Sequence, residues 1–242
     1  MCSSDLVVRS FNKNLPFDRF ITDQLAGDLM PSAMESESFD RMIATGFLVM
    51  GPKMLAEQDK PKLVMDIVDE QIDTVTRAFL GLTVGCARCH DHKYDPIPAR
   101  DYYALAGIFK STRTMENLDF VSKFHERSVT PRERLKLIEA QERLVDVRQK
   151  RLDTLIREAN AALTNRLHAP LPKDPRPQYP ENVRKELEVL EQERDSLKAS
   201  LEPRQLALAA QEGAITNVPV HLRGNHLTPG PEPVPQIGRA HV

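Results

Sequence analysis

The sequence predicts a mainly α fold, in which a helical domain is followed by an antiparallel helical hairpin and by the start of a further domain. Three observations lead to this prediction. Apolar residues recur every three or four positions in residues 7–130, a heptad-like apolar stripe within highly charged sequence begins after Pro131, and the chain turns polar from Ala214. A period of three to four places side chains on one helix face, whereas the period of two that is typical of strands is almost absent.

The composition is that of a chain able to bury a core. The 242 residues are 40% hydrophobic and 28% charged, which fits one medium domain or two small ones. No apolar run approaches the roughly 18–20 residues that span a bilayer, so a transmembrane segment is not expected. The net charge of -2 gives no electrostatic reason to expect nucleic-acid binding, and the absence of Trp argues against a carbohydrate platform built on that residue.

Both ends of the chain resemble translated sequencing adapter rather than protein. Residues 236–242 end in Ile-Gly-Arg-Ala-His-Val, and residues 1–6 read as the opposite strand of the same adapter. Non-native segments are set aside before the fold is considered. We therefore expect the native stretch to be about residues 7–235, an internal piece of a longer protein, with Cys2 as an artefact.

Four helical segments are expected in the first domain, residues 7–130. Each carries apolar residues at helical spacing, and proline closes the first of them. The segments are 11–29 before Pro31, 38–50 with Met42, Ile43 and Phe47 on one face, 61–84, and 99–110.

The hairpin is expected over residues 131–212. Five prolines in residues 170–180 cannot continue a helix and mark the bend between two charged helices. We interpret the hairpin as a solvated spacer or dimerisation arm, with a coiled-coil partner possible through residues 131–201. Residues 213–235 then read as the start of a second domain. The apolar stripes are Leu135, Ile138, Val145, Leu152, Ile156, Ala159 and Leu163, and Val183, Leu187, Leu190, Leu197 and Leu201.

The motif that carries chemistry is Cys86-Ala87-Arg88-Cys89-His90, which matches the C-x-x-C-H pattern of c-type haem attachment. Thiols three residues apart lie on one side of a helical turn, where both can form thioethers with the haem vinyl groups. The adjacent His90 then offers an imidazole nitrogen as the proximal iron ligand. The sequence therefore predicts a helical, haem-c-like first domain with covalent haem c on Cys86 and Cys89.

Three other interpretations of the cysteine pair stay open. Zinc would need four ligands, and Cys86, Cys89, His90 and His92 are too crowded in sequence to close a tetrahedron easily. A thioredoxin-like redox pair would need a βαβ setting that the helical pattern does not provide. A disulfide across two residues would be strained.

The second iron ligand is less well defined by the sequence. His92 is too close to His90 to reach the opposite haem face, whereas Met54 lies in a loop-like segment and could offer its thioether. His90 and Met54 are thus the predicted metal ligands. An open haem face is the other possibility. The alternative ligands are Met50, Met65, Met115 and His125.

The residues after the motif are dense in polar groups. His92, Lys93 and Tyr94 could hydrogen-bond the haem propionates, or Asp91 and Asp95 could bind a cation. The plain alternative is a solvated surface turn that ends at Pro96.

Several stretches together resemble one protein family. They are FNKNLPFDRFITDQLAGDLMP, IATGF, GPKML, LGLTVGCARCHDHKYDPIPARDYYALAGIF and VPVHLRGNHLTPGPE. These resemble the large planctomycete-type secreted proteins that carry a cytochrome c domain and two paired domains of unknown function. The resemblance implies that residues 7–128 are most of the first such domain and that residues 214–235 begin the second. It also implies an exported bacterial protein, periplasmic or on the cell surface. Among the candidates for the second iron ligand, it slightly favours Met54.

Three hypotheses of function follow. The leading one is a haem c electron-transfer module whose partner is a redox protein or an adjacent cytochrome domain of the same chain. The second is a haem enzyme, peroxidase-like or oxidase-like and linked to polysaccharide breakdown, with His92 or His125 as acid/base. The third is a non-catalytic interaction module whose Cys86 and Cys89 bind zinc or form a disulfide. The sequence leaves open whether the protein is an enzyme.

Overall fold

A computed structural model describes residues 3–168 and 170–237, so Cys2 and most of the expected C-terminal adapter lie outside the described residues. The chain divides into two compact units. One consists of residues 3–129 and 206–237, and the other of residues 130–205. The helices are α1 (Ser3–Asn12), α2 (Phe17–Ala26), α3 (Glu35–Ala44), α4 (Lys60–Leu80), α5 (Ala99–Lys110), α6 (Arg132–Leu167) and α7 (Glu181–Ala199).

The prediction of a mainly helical chain is confirmed, with differences at several boundaries. The helix expected over 38–50 is α3 followed by the 3-10 turn Thr45–Leu48. The segment expected over 61–84 is α4, which already ends at Leu80. It ends there because Gly81 takes a left-handed conformation, with φ of 68°, that terminates helices. Within the described residues, no helix is long and apolar enough to cross a membrane.

Among the residues that the structure describes, eight short strands form four antiparallel pairs in the first unit. Strands of two or three residues are too short to show alternation, which is why the sequence did not reveal most of them. Residues 206–212, expected to belong to the hairpin, pair instead with strands of residues 112–128 and belong to the first unit. The strands are β1 (Thr112–Arg113), β2 (Met115–Asn117), β3 (Lys123–Phe124), β4 (Glu126–Ser128), β5 (Leu206–Leu208), β6 (Gln211–Glu212), β7 (Val218–His221) and β8 (Pro229–Val234).

The core of the first unit joins α4 and α5 to the β7–β8 hairpin. Its members include Ile72 of α4, Tyr102 of α5 and Val218 of β7, all fully buried. The stretch expected to open a second domain is therefore packed on the first unit. Gln236, at the edge of the expected adapter segment, is also buried, and its Nε2 donates to the carbonyl of Gly107 at 3.0 Å.

The second unit is an antiparallel helical hairpin formed by α6 and α7. The antiparallel arrangement is visible in two contacts between the helices. Arg151 pairs with Glu186 at 3.0 Å, whereas Gln141, earlier in the chain, donates through Nε2 to the later Ser200 Oγ at 2.7 Å. The buried seam contains Leu152, Ala159, Leu163 and Leu187 from the expected stripes, together with Leu155 and Tyr179.

Tyr179, between the two helices of the hairpin, gives a first testable prediction. Its ring is buried and its hydroxyl donates to Asn160 Oδ1 at 2.5 Å, while burial raises its pKa. We expect Tyr179→Phe to lower the free energy of unfolding of the hairpin by about 1 kcal/mol, because one buried hydrogen bond is lost. Chemical denaturation would measure the loss. The matched control is Tyr94→Phe, at an exposed ring, and an equal effect of both variants would contradict the prediction.

Candidate functional site

The C-x-x-C-H motif lies directly after α4. Cys86 is part of the 3-10 turn Val84–Arg88. This turn can begin there because the chain leaves α4 at Gly81, whose backbone N–H donates to the carbonyl of Thr76. The end of α4 therefore sets the position of the motif.

The two thiols point away from the core. Val84 and Ala87 are buried and anchor the turn, whereas Cys86 and Cys89 are both exposed and free, with no disulfide between them. Cys89 also lies against the backbone of Gly224, where an added Cβ would come within 2.6 Å of its Sγ atom. Both thiols are thus available for covalent modification from the solvent side.

His90 is held in one tautomer by a backbone contact. Its Nδ1 atom lies 2.7 Å from the carbonyl oxygen of Asp91. Because a carbonyl oxygen only accepts hydrogen bonds, Nδ1 carries a proton, and in the neutral ring the lone pair is then on Nε2. Metal-bound histidines commonly donate their other ring N–H in this way, which fixes the ring orientation. His90 therefore has the tautomer that an Nε2 ligand requires, on an exposed side chain.

His92 is turned into the loop rather than towards solvent, with 5% of its side chain exposed. Its Nδ1 atom accepts the backbone N–H of Asp95 at 2.9 Å, so Nε2 carries the proton and donates to Thr83 Oγ1 at 2.9 Å. The predicted contact of His92 with a haem propionate would require one of these hydrogen bonds to break. In this structure His92 braces the loop that follows the motif.

Lys93 and Tyr94 extend from the same loop into solvent. Tyr94 is 82% exposed, and Lys93 Nζ lies 5.1 Å from the centroid of its ring, which is a cation–π contact. The structure thus brings these two predicted site residues together and leaves both accessible beside His90 in sequence.

Arg88, inside the motif, ties it to α4. Its guanidinium pairs with Asp66 and Asp69, each at 3.1 Å. The hydroxyl of Tyr102 donates to the same Asp69 at 2.7 Å, and burial together with this carboxylate raises the pKa of Tyr102 above its usual range. Arg88 is therefore a positioning residue for the two cysteines on either side of it.

Three residues that the sequence did not single out complete the support of the motif. The buried hydroxyl of Tyr103 donates to the carbonyl of Arg88 at 2.9 Å. The centroid of the Tyr103 ring lies 5.2 Å from the centroid of the His221 ring. Gly224 takes a φ of 72° where it lies against Cys89. Burial raises the pKa of Tyr103 to about 12, so it acts as a hydrogen-bond donor. In the sequence, the one feature that could have drawn attention to these residues is that His221 and Gly224 occur together in the polar stretch HLRGNH.

Met54 lies in a different loop, before α4, and the residue is 71% exposed. The neighbouring Lys53 has the opposite environment, since its side chain is fully buried and its Nζ donates to Glu70 at 2.9 Å. The loop thus presents Met54 to solvent while Lys53 fixes its backbone. Its role as an iron ligand stays a prediction.

The alternative ligands occupy varied environments. Met50 is exposed, Met115 is half-buried and Met65 is buried. His125 is buried and has both ring nitrogens engaged, Nδ1 with Glu116 at 2.7 Å and Nε2 with Gln211 at 3.0 Å. His125 thus contributes to the packing of the small strands.

The side chains proposed for a zinc site do not gather into one. In the part of the chain that the structure describes, no three His, Cys, Asp or Glu side chains form a group that could hold a metal ion. Cys86, Cys89, His90 and His92 are therefore not gathered into such a group. Asp91 Oδ1 accepts instead the backbone N–H of Ala99 at the start of α5, at 2.8 Å.

Comparison with known proteins identifies one family in part of the chain. Residues 3–114 match the family described as PSCyt2, a protein of unknown function (DUF1549). The match covers a little under half of the chain and includes the whole C-x-x-C-H motif. It supports the coarser part of the resemblance, a domain of unknown function at this position. No curated protein and no solved structure gives a significant match.

Proposed function

We propose that this chain carries a c-type haem-binding electron-transfer module of an exported multidomain protein. The observation that supports the proposal most strongly is the donor set of the motif. Cys86 and Cys89 are free and exposed, and His90 has its Nδ1 proton engaged by the carbonyl of Asp91, which leaves Nε2 available. These are the three groups that haem c attachment uses.

Each residue of the motif would have its own role in holding the haem. Cys86 and Cys89 would hold the haem through thioethers, each formed by addition of the S–H group to one vinyl group with no atom lost. His90 would hold the iron from one side through Nε2, and the exposed Lys93 and Tyr94 are suited to the propionates. When bound, haem supplies one-electron exchange. Arg88 and Tyr103 keep the two thiols in place through the contacts with Asp66, Asp69 and the Arg88 carbonyl.

Electron transfer is preferred over an enzymatic role because of the two histidines considered as acid/base. His92 and His125 both have both ring nitrogens in hydrogen bonds within the chain. An exposed attachment site also suits electron exchange with a redox protein or a neighbouring cytochrome domain. Because haem c is attached outside the cytoplasm, we place the protein in the periplasm or on the cell surface.

The test is covalent haem in protein matured with the cytochrome c assembly machinery. The 242-residue chain is secreted from such a host, extracted with acid acetone and assayed by its pyridine haemochrome spectrum. We expect haem to stay with the protein, and to be lost when Cys86 and Cys89 are both changed to Ser. Cys2→Ser, outside the motif, is the control that keeps the haem. Colourless wild-type protein from that host would rule the proposal out.

The second iron ligand needs a separate measurement. If Met54 binds the iron, Met54→Leu opens the site, and the reduced variant binds carbon monoxide while the reduced wild type does not. Met34→Leu, at another exposed methionine, is the control. Carbon monoxide binding by the wild type would exclude Met54 as a ligand and would favour the haem-enzyme alternative.

A further inference from the structure

A cavity of about 430 Å³ lies in the first unit beside the N-terminus of α4. Four of its lining side chains are basic or imidazole groups: Lys60, Lys110, His221 and His226. Val64 and Met65 of α4 contribute to an apolar wall. A volume of this size suits a small organic molecule, and a mixed apolar and polar lining is typical of ligand pockets.

His221 is the unusual member of this lining. The residue is only 6% exposed, and its buried Nδ1 atom has no hydrogen-bond partner within the described structure. Its ring instead lies against Tyr103, with 5.2 Å between the centroids. Most buried polar atoms in proteins have a partner, so the unpaired Nδ1 atom leaves His221 with unused hydrogen-bonding capacity beside the cavity that it lines.

The charges around His221 are positive. Burial, and then the nearby Lys110, Arg88 and His226, lower the pKa of His221 below its usual value. The carboxylates beside this set are already engaged. Asp66 and Asp69 pair with Arg88, each at 3.1 Å. Asp59 caps α4 by accepting the N–H of Lys62 and contacts His226 Nε2 at 2.9 Å. An anion in the cavity would therefore meet basic groups whose charge is not fully balanced.

We propose that this cavity binds an organic oxyanion, a carboxylate or phosphate ester with an apolar body, whose charged end lies between Lys110, Lys60 and His221. The apolar body would pack on Val64 and Met65. A cation is disfavoured because two lysines line the same cavity. The proposal is independent of haem attachment, since none of Cys86, Cys89 and His90 lines this cavity.

The test uses haem-free protein of the full chain and two probes of the same shape, 2-naphthoate and its neutral analogue 2-naphthamide. Binding is followed through the ring protons of His221 by NMR. We expect naphthoate to shift these resonances at millimolar concentration or below and to bind about tenfold more tightly than naphthamide, because only the carboxylate forms charge-assisted hydrogen bonds with the basic groups.

The variant Lys110→Glu separates the proposal from non-specific attraction. We expect it to weaken naphthoate binding by about tenfold, while Lys198→Glu, an exposed lysine of α7, leaves binding unchanged. Equal binding of the acid and the amide would overturn the proposal, as would no shift of His221 or equal effects of both variants. Inorganic phosphate that binds as tightly as naphthoate would also overturn it, since the apolar wall would then contribute nothing.

Discussion

Replacing Glu70 with alanine is expected to lower the free energy of unfolding of the first unit by about 3–5 kcal/mol, the usual cost of breaking a buried ion pair. The reason is the environment of Lys53. Its side chain is fully buried, and Nζ donates to Glu70 and to the carbonyls of Val49 and Gly51. Without the Glu70 carboxylate, an ammonium group would remain buried with only neutral acceptors.

The measurement is chemical denaturation together with hydrogen exchange of the α4 amides, which reports on the first unit separately from the hairpin. Glu188→Ala, an exposed residue of α7, is the control and should change the free energy by less than about 0.5 kcal/mol. The double variant Lys53→Met with Glu70→Leu should recover most of the loss, because both charges are gone. A loss below about 1 kcal/mol for Glu70→Ala would contradict the contacts of Lys53.

Gly224→Ala is expected to destabilise the haem-free first unit by about 2–4 kcal/mol, the sum of two separate costs. A left-handed φ of 72° is unfavourable for any residue with a Cβ atom. The new Cβ would also lie 2.6 Å from the Sγ atom of Cys89, closer than real Cβ contacts allow. The variant would therefore disturb the motif directly.

Two further variants separate the backbone cost from the contact. Gly81→Ala meets the same kind of backbone strain, with φ of 68°, but nothing lies within 4 Å of its Cβ position. We expect Gly81→Ala to lower the free energy of unfolding by only about 1–2 kcal/mol. The double variant with Gly224→Ala and Cys89→Ala should lose about the same free energy of unfolding as Gly81→Ala. If Gly224→Ala and Gly81→Ala cost the same from the start, Cys89 does not lie against Gly224.

The helices that the sequence predicted best are those with long, regular apolar spacing. Helix α5 has the expected bounds, 99–110, because its apolar face and Pro98 define it locally. The expected 38–50 helix was too long, because its last residues form a 3-10 turn that contains Gly46. Gly46 packs closely on the carbonyl of Leu208, so that a Cβ atom added there would lie only 2.7 Å from the carbonyl oxygen. That contact joins residues far apart in sequence and leaves no local signal.

The site shows the same division. The motif and the polar loop after it could be found from the sequence, because their residue types and spacing are local. The orientation of each side chain could not. His92 and Lys93 are neighbours, yet one is turned into the loop and the other is exposed. The difference depends on Thr83 and on the backbone of Asp95, which the fold brings to the ring of His92.

By itself the sequence determined that the chain is mainly helical, that residues 131–201 carry a charged helical hairpin, and that two cysteines and a histidine stand at haem-attachment spacing. Helical periodicity and motif spacing are properties of neighbouring residues. Only the tertiary structure decided that residues 206–237 return to the first unit, where Gly224 lies against Cys89 and Tyr103 holds Arg88. These contacts join residues that are distant along the chain, and they form because burial of the core brings β7 against α5.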